Sequence, residues 1–224
     1  MIPWEKLDTA KIPGGGELRL MRRGTEFTIK LGSNELMNSR LTATEQALAT
    51  LACDKIKTRP APSILIGGLG MGFTLRAALI VLGAKAHIDV AELVPAVVAW
   101  ARGPMAPLFG DSLSDRRVRI HEKDVVDLIA AARSGYDAIL LDVDNGPYGI
   151  VRKANDRLYD VNGLAAAHRA LKPGGVLAVW SSADDAKFTG RLRRGGFEVT
   201  ENAVRAKGPQ GRAQHFIWVA VRSG

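Results

Sequence analysis

The stretch Ser63-Ile64-Leu65-Ile66-Gly67-Gly68-Leu69-Gly70-Met71-Gly72-Phe73-Thr74-Leu75-Arg76 constrains the fold more than any other part of this chain. An aliphatic run that ends in glycines and opens into a helical pattern is a buried strand, a tight turn and a helix N-terminus in succession. Such a turn presents successive backbone N–H groups to a nucleotide-like ligand. A second apolar run, His87-Ile88-Asp89-Val90-Ala91, ends in Glu92. A carboxylate at that strand end can accept hydrogen bonds from both hydroxyls of a ribose. The glycines Gly68, Gly70 and Gly72 give G-x-G-x-G, and Phe73 stands where a dinucleotide loop carries its third glycine. The first reading is therefore a nucleotide-cofactor enzyme, with the cofactor left to residues further along the chain.

Beyond Pro62, strand and helix patterns alternate. Strands are predicted at 64–67, 86–91, 118–121, 138–143 and 175–180, with helices at about 72–82, 95–102, 125–132, 160–171 and 183–194. Alternation of this kind implies right-handed crossovers and a parallel sheet. The end differs: Phe197 to Glu201 and Gln214 to Val221 are two strand patterns joined through Gly208-Pro209-Gln210-Gly211 without a helix, so the sheet closes with an antiparallel hairpin. The fold class is α/β, a doubly wound, mostly parallel seven-stranded sheet. In front of it, Glu17 to Met21 and Glu26 to Leu31, with turns at Arg23-Gly24 and Gly32-Ser33-Asn34, form a small β-meander. So short a cluster cannot bury a core alone, so it packs on the main domain or on a second copy of the chain, which points to a homodimer. Thr42-Ala43-Thr44-Glu45 has capping-box spacing and opens a helix to about Lys57, before a stiff junction at Arg59-Pro60-Ala61-Pro62. Two units follow, 1–60 and 61–224.

Composition removes several classes of function. No apolar run approaches the roughly 20 residues that span a membrane, and Met1-Ile2-Pro3-Trp4-Glu5-Lys6 lacks a secretion pattern, so a cytoplasmic setting is expected. The single cysteine, Cys53, excludes an internal disulfide and falls in a helical pattern, where it reads as a small packed hydrophobe. His87, His121, His168 and His215 have no metal-ligand spacing, and no metal is expected. The net charge of +8 would suit a polyanion, but basic clusters occur only at Arg191, Arg193, Arg194 and at Arg205, Lys207, Arg212, with few aromatic residues among them. A solvated face is the simpler reading, and nucleic acid is disfavoured as a partner.

Two further carboxylates complete the pattern: Asp124 just after the third parallel strand and Asp142 at the end of the fourth. With Gly67 to Gly72 and Glu92 they fall at the carboxyl ends of parallel strands, where open α/β sheets bind ligands. This set, with the terminal hairpin, resembles the S-adenosylmethionine-dependent methyltransferase type of sheet. Within that type the chain resembles the spermidine synthase family. The resemblance rests on Ile66-Gly67-Gly68-Leu69-Gly70 with Thr74-Leu75-Arg76, on Ala91-Glu92-Leu93-Val94-Pro95-Ala96-Val97-Val98, on Lys123-Asp124-Val125 and on Tyr136-Asp137-Ala138-Ile139-Leu140-Leu141-Asp142. Leu171-Lys172-Pro173-Gly174-Gly175-Val176-Leu177 adds to it, although many methyltransferases share that segment.

The resemblance implies aminopropyl transfer from decarboxylated S-adenosylmethionine to an amine such as putrescine, leaving methylthioadenosine. It implies a donor held by Gly67, Gly68, Gly70, Met71, Gly72, Glu92, Leu93, Asp124 and Val125, with Glu92 on the ribose and Asp124 on the adenine amino group. Asp142 is then the catalytic carboxylate on the attacking amine. Asp144 and Tyr148 are substrate-binding candidates, in a segment from 142 to 160 that also holds Asp156, Tyr159 and Asp160. An acidic patch on a basic protein suits a cationic substrate. Asp144 equally suits the Asn145-Gly146 turn, and Asp156 and Asp160 equally suit helix caps. Trp180 reads as core packing ahead of a wall to the site.

The chain departs from the family at two motifs. The family's glycine-loop aspartate, which receives the ammonium end of a decarboxylated donor, is absent from Leu69-Gly70-Met71. A helix N-terminus favours anions, so carboxylated S-adenosylmethionine suits this loop. The segment Asp142-Val143-Asp144-Asn145-Gly146-Pro147 replaces the family's Asp-Ser-x-Asp-Pro, and the tyrosine and histidine of the polyamine path are missing near Asn34 to Glu45. The alternatives are a methyltransferase acting on a small molecule, with RNA behind it, and a binding-only relic.

Overall fold

Alternating apolar residues bring four short strands together before the main sheet begins: β1 (Glu5–Lys11), β2 (Glu17–Arg23), β3 (Glu26–Leu31) and β4 (Asn34–Asn38). They form an antiparallel sheet in the order β1-β2-β3-β4, with Leu18 opposite Leu31 and Leu20 opposite Ile29. The computed structural model describes residues 2–13, 15–143, 147, 156–205 and 214–224. Asp144, Tyr148 and the Gly208–Gly211 turn, all named from the sequence, lie outside the described residues. The meander is twice as long as the sequence pattern suggests. In β1 no residue is buried and the strand is mostly polar, so this edge shows no alternation to read.

The rest of the chain alternates as predicted. After α1 (Ala43–Asp54) come β5 (Ser63–Gly67), α2 (Phe73–Val81), β6 (His87–Ala91), α3 (Pro95–Arg102), the short α4 (Ala106–Phe109), β7 (Val118–His121), α5 (Val125–Ala131) and β8 (Tyr136–Leu141). Then follow α6 (Asp156–Tyr159), α7 (Val161–Ala170), β9 (Leu171–Ser181), α8 (Ala186–Arg194), β10 (Phe197–Arg205) and β11 (Gln214–Arg222). The seven-stranded sheet runs β10-β11-β9-β8-β5-β6-β7. Five central strands are parallel, and β11 lies antiparallel between β9 and β10, which is the expected terminal hairpin. The winding reverses between β5 and β8, and crevices at such a switch point are where α/β sheets bind ligands.

Successive residues of the buried strands point to opposite faces, giving two apolar layers. Ile64, Ile66, Leu140 and Ala178 pack under α1, α2 and α3, whereas Leu65, Ile139 and Leu177 pack under α5, α7 and α8. Leu18, Leu20, Phe27 and Ile29 of the meander belong to the first layer. The Trp100 indole N–H donates to Asp8 Oδ2 at 2.6 Å, tying β1 to α3. The meander therefore completes its core within its own chain. Cys53 is fully buried in α1, where burial pushes its thiol up to about 12. At the Pro60 junction the Arg59 guanidinium pairs with Asp137, which also receives Lys172 Nζ and the Ser63 N–H, both at 2.7 Å. Among the described residues no helix is long and apolar enough to cross a membrane.

Candidate active site

The site begins at the glycine turn, where β5 must give way to α2 without side chains blocking the backbone. Gly72 is the N-cap of α2 at φ +78°, the left-handed region, and a Cβ there would run into the Phe109 ring. Gly70, at φ +50°, accepts the Met37 side chain so closely that a Cβ would lie 2.9 Å from its methyl carbon. The N-cap contributes no side chain, so nothing of its own covers the first N–H groups of α2. Gly67 lies beneath the turn. A Cβ there would sit 3.0 Å from Val125 and 3.2 Å from Leu141, and the residue is not part of the cavity lining.

On one side of this turn, at the end of β6, Glu92 is nearly buried. Its two carboxylate oxygens accept hydrogen bonds from the Leu69 N–H (3.0 Å) and the Val94 N–H (2.9 Å). Burial raises its pKa, and those N–H groups oppose the rise. Asp124, the N-cap of α5, accepts from the Val126 N–H at 3.0 Å and pairs through its other oxygen with Arg157 at 2.6 Å. Each oxygen thus has one partner and retains acceptor capacity.

On the other side of the turn, at the end of β8, Asp142 accepts a 2.7 Å hydrogen bond from the Thr74 hydroxyl of α2. Burial, reinforced by the negative charge of Glu45, pushes the Asp142 carboxyl up to about 7. Glu45 comes from the first turn of α1 and is itself raised by burial. The expected capping box is not made: Thr42 is the N-cap, but its side chain makes no capping hydrogen bond. The Glu45 carboxylate instead accepts from the Thr44 hydroxyl at 2.8 Å and faces the cavity. Its partners, the Thr44 hydroxyl and its own backbone N–H, lie in the same helical turn.

A cavity of about 200 Å³ joins the two sides. Gly68, Gly70, Met71, Gly72, Glu92, Leu93, Asp124 and Val125 line it on the β6 and β7 side, and Asp142, Glu45 and Trp180 on the β8 and β9 side. Trp180 lines the cavity and also packs against the core, so it takes both of the roles that its sequence position offered. Ile12, Leu18, Ile29, Leu36 and Met37 of the meander also line the cavity. Sequence reading missed Glu45 and this lining, because its signals are those of an ordinary cap and an ordinary half-buried sheet. Asp160 is a helix cap, accepting from the Gly163 N–H at 2.8 Å. Among the described residues no three His, Cys, Asp or Glu side chains are grouped so as to hold a metal ion.

No family model matches the chain. It is 29% identical over 149 residues to a polyamine aminopropyltransferase of Mycobacterium tuberculosis, an alignment covering 62% of this chain and 28% of that protein. It is 32% identical over 124 residues to polyamine aminopropyltransferase 1 of Streptomyces coelicolor, covering 54% of this chain and 22% of that one. The chain thus spans about a quarter of the length of the curated relatives it matches. Among solved structures, spermidine synthase from Thermotoga maritima superposes with a TM-score of 0.73 at 16% identity, over 97% of this chain and 72% of that one. A spermidine synthase in complex with the transition state analogue AdoDATO gives 0.73 at 17% identity, with the same coverage. A probable spermidine synthase from Corynebacterium glutamicum gives 0.66 at 14%, over 97% of this chain and 79% of that one. The fold is the spermidine synthase fold. The superposition covers 97% of this chain and so extends over the meander as well as the seven-stranded sheet.

Proposed function

We propose that this chain transfers an alkyl group, the aminopropyl group, from an S-adenosyl sulfonium donor of the decarboxylated S-adenosylmethionine type to an amine such as putrescine. The observation that carries the reading is Asp142, a carboxylate at the switch point, across the glycine turn from Glu92 and sharing one cavity with it. The glycine turn, which puts no side chain in the way, and the Glu92 carboxylate suit the nucleoside, and Leu93, Asp124 and Val125 suit the adenine. A sulfonium supplies an activated carbon and leaves as a neutral sulfide, so the protein's main tasks are alignment and removal of one proton. As the N–C bond forms, the C–S bond breaks with its electron pair kept by sulfur, and the ammonium proton passes to Asp142. A carboxyl near 7 suits a group that must take up and release that proton around neutrality.

One observation favours a second reading, methyl transfer from carboxylated S-adenosylmethionine: Met71, without an acid beside it, lines the donor side of the cavity. Titration calorimetry with S-adenosylmethionine, its decarboxylated form and methylthioadenosine, followed by mass analysis of products with putrescine, separates the two. Preference for the carboxylated donor with no aminopropylated product would sink the first reading. Binding of methylthioadenosine with no product from either donor would make the chain a binding relic. The unpaired outer edge of β1 supports a homodimer, which light scattering reads directly. A single buried cysteine is in keeping with a reducing, cytoplasmic setting.

A further inference from the structure

Thr74 is 3% exposed, in the first turn of α2, and a hydroxyl so buried needs a partner. Its oxygen lies 2.7 Å from Asp142 Oδ2 and 3.4 Å from the Glu45 carbonyl oxygen. A hydroxyl has one proton to donate, and the shorter contact takes it. The branched Cβ restricts the threonine rotamer, so this donor is in place before any ligand arrives. The Asp142 N–H donates to the Gly67 carbonyl at 3.0 Å, which fixes the backbone but not the carboxylate. Among the described residues Oδ1 has no donor, and no ion pair involves Asp142. The charged groups around it supply no second anchor. Glu45 of α1 carries the same sign, and Arg76 of α2 is turned to the Leu108 carbonyl at 2.6 Å. Glu92 and the Lys123-Asp124 pair line the nucleoside side, and His215, stacked behind Trp180 with ring centroids 4.9 Å apart, is pushed towards its neutral form by burial.

A carboxylate free to rotate meets a proton with either oxygen, whereas one held at Oδ2 offers Oδ1 alone. We propose that Thr74 is a positioning residue for the proton transfer, its hydroxyl holding Asp142 Oδ2 so that the amine proton is received by Oδ1. The inference rests on the amine-alkylation reading above, in which Asp142 takes that proton. Thr74 is not part of the cavity lining, so it acts through Asp142. Its hydroxyl also favours the ionised carboxylate, against burial and the charge of Glu45, which both favour the neutral acid. One side chain therefore orients the acceptor of the proton and keeps a share of it ionised near neutrality. Valine has nearly the shape of threonine and no donor, so both effects can be removed together with little change of volume.

The test compares Thr74→Val with Thr74→Ser, which keeps the hydroxyl, and with Thr74→Ala, which removes it in a smaller side chain. Carbon-13 NMR of aspartate-labelled protein, with the Asp142 carboxyl signal assigned by its loss in Asp142→Asn, reads the titration midpoint without turnover. Loss of one charge-assisted hydrogen bond should raise that midpoint by about one pH unit in Thr74→Val and Thr74→Ala, and Thr74→Ser should return it towards the wild-type value. With putrescine as acceptor, kcat should fall roughly tenfold in Thr74→Val and the acid limb of kcat/KM should move to higher pH, with Thr74→Ser rescuing both. Methylthioadenosine affinity by calorimetry should be the same in every variant, which also shows that each is folded. Equal midpoints in Thr74→Val and wild type overturn the proposal, as does a lower kcat with the acid limb unmoved, which loosened packing alone would give. A raised midpoint in Thr74→Val alongside a wild type that forms no alkylated product removes the transfer reading, and still supports Thr74 as the group that holds Asp142.

Discussion

Asp142→Asn should stabilise the protein, and only on the alkaline side. In the folded chain this carboxyl is raised from 3.8 to about 7, first by burial and then by Glu45. Its folded pKa lies above its unfolded one, so the stability it contributes is complete below 3.8 and is lost as pH rises through about 7. The interval of roughly 3 units at ~1.36 kcal/mol each sets a ceiling of about 4 kcal/mol, and solvent screening inside an open cavity lowers it to on the order of 2 kcal/mol. Asparagine cannot ionise, so it keeps what the wild type loses. At about 2–4 °C per kcal/mol for a chain of this size, Asp142→Asn should melt roughly 4–8 °C above wild type at pH 8.5, and at nearly the same temperature at pH 4. Thermal melts of both proteins at the two pH values, followed by circular dichroism, measure this directly. Carboxyls away from Asp142 titrate alike in both proteins and cancel, and at pH 8.5 the asparagine also relieves Glu45 of a like charge, in the same direction. A difference in Tm that does not change with pH, or an asparagine variant less stable at pH 8.5, would refute the assignment of a destabilised, raised carboxylate. The same variant should lose turnover while retaining methylthioadenosine binding, and unchanged turnover would take Asp142 out of the mechanism.

Three further outcomes follow from the geometry. Glu92→Gln weakens a charge-assisted ribose contact, so methylthioadenosine affinity by calorimetry should fall roughly 10- to 100-fold, and an unchanged affinity would take the ribose away from Glu92. Gly72→Ala combines a left-handed backbone with a Cβ driven into Phe109, costing about 3 kcal/mol in all and lowering Tm by roughly 6–12 °C. A melting temperature within a degree of wild type would mean that α2 does not need that conformation. Burial favours the neutral form of Asp137, yet Lys172, the Ser63 N–H and Arg59 together outweigh it and lower its pKa. Asp137→Asn should therefore cost on the order of 2–3 kcal/mol in urea midpoints at pH 7, since its cations remain partly solvated, and the difference should shrink as pH falls through the lowered pKa.

Much of this fold was legible because its signals are local. The aliphatic runs at β5 and β8 are buried on both faces and cannot be mistaken for surface, and β3, α3 and β7 lie within the predicted bounds to the residue. The outer strand β1 escaped because an exposed, mostly polar edge has no periodicity to reveal it. Spacing along parallel strands also carried most of the candidate site: Glu92, Asp124 and Asp142 had to emerge at the same sheet edge once the strands were known. The close packing of Gly67 against Val125 and Leu141 was not legible, since a glycine under the turn and a glycine on its open side look alike until those neighbours are placed.

By itself, then, the sequence determined the winding of the sheet, the glycine turn between β5 and α2, and the strand ends from which its carboxylates emerge, because each depends on residues a few positions apart. Only the tertiary structure decided that Glu45 lines the cavity, that the meander lines the site from its own chain, and that the Asp142 carboxyl is raised to about 7. Those outcomes depend on desolvation and on charges brought together from α1, α2 and β8, distances that no local pattern encodes.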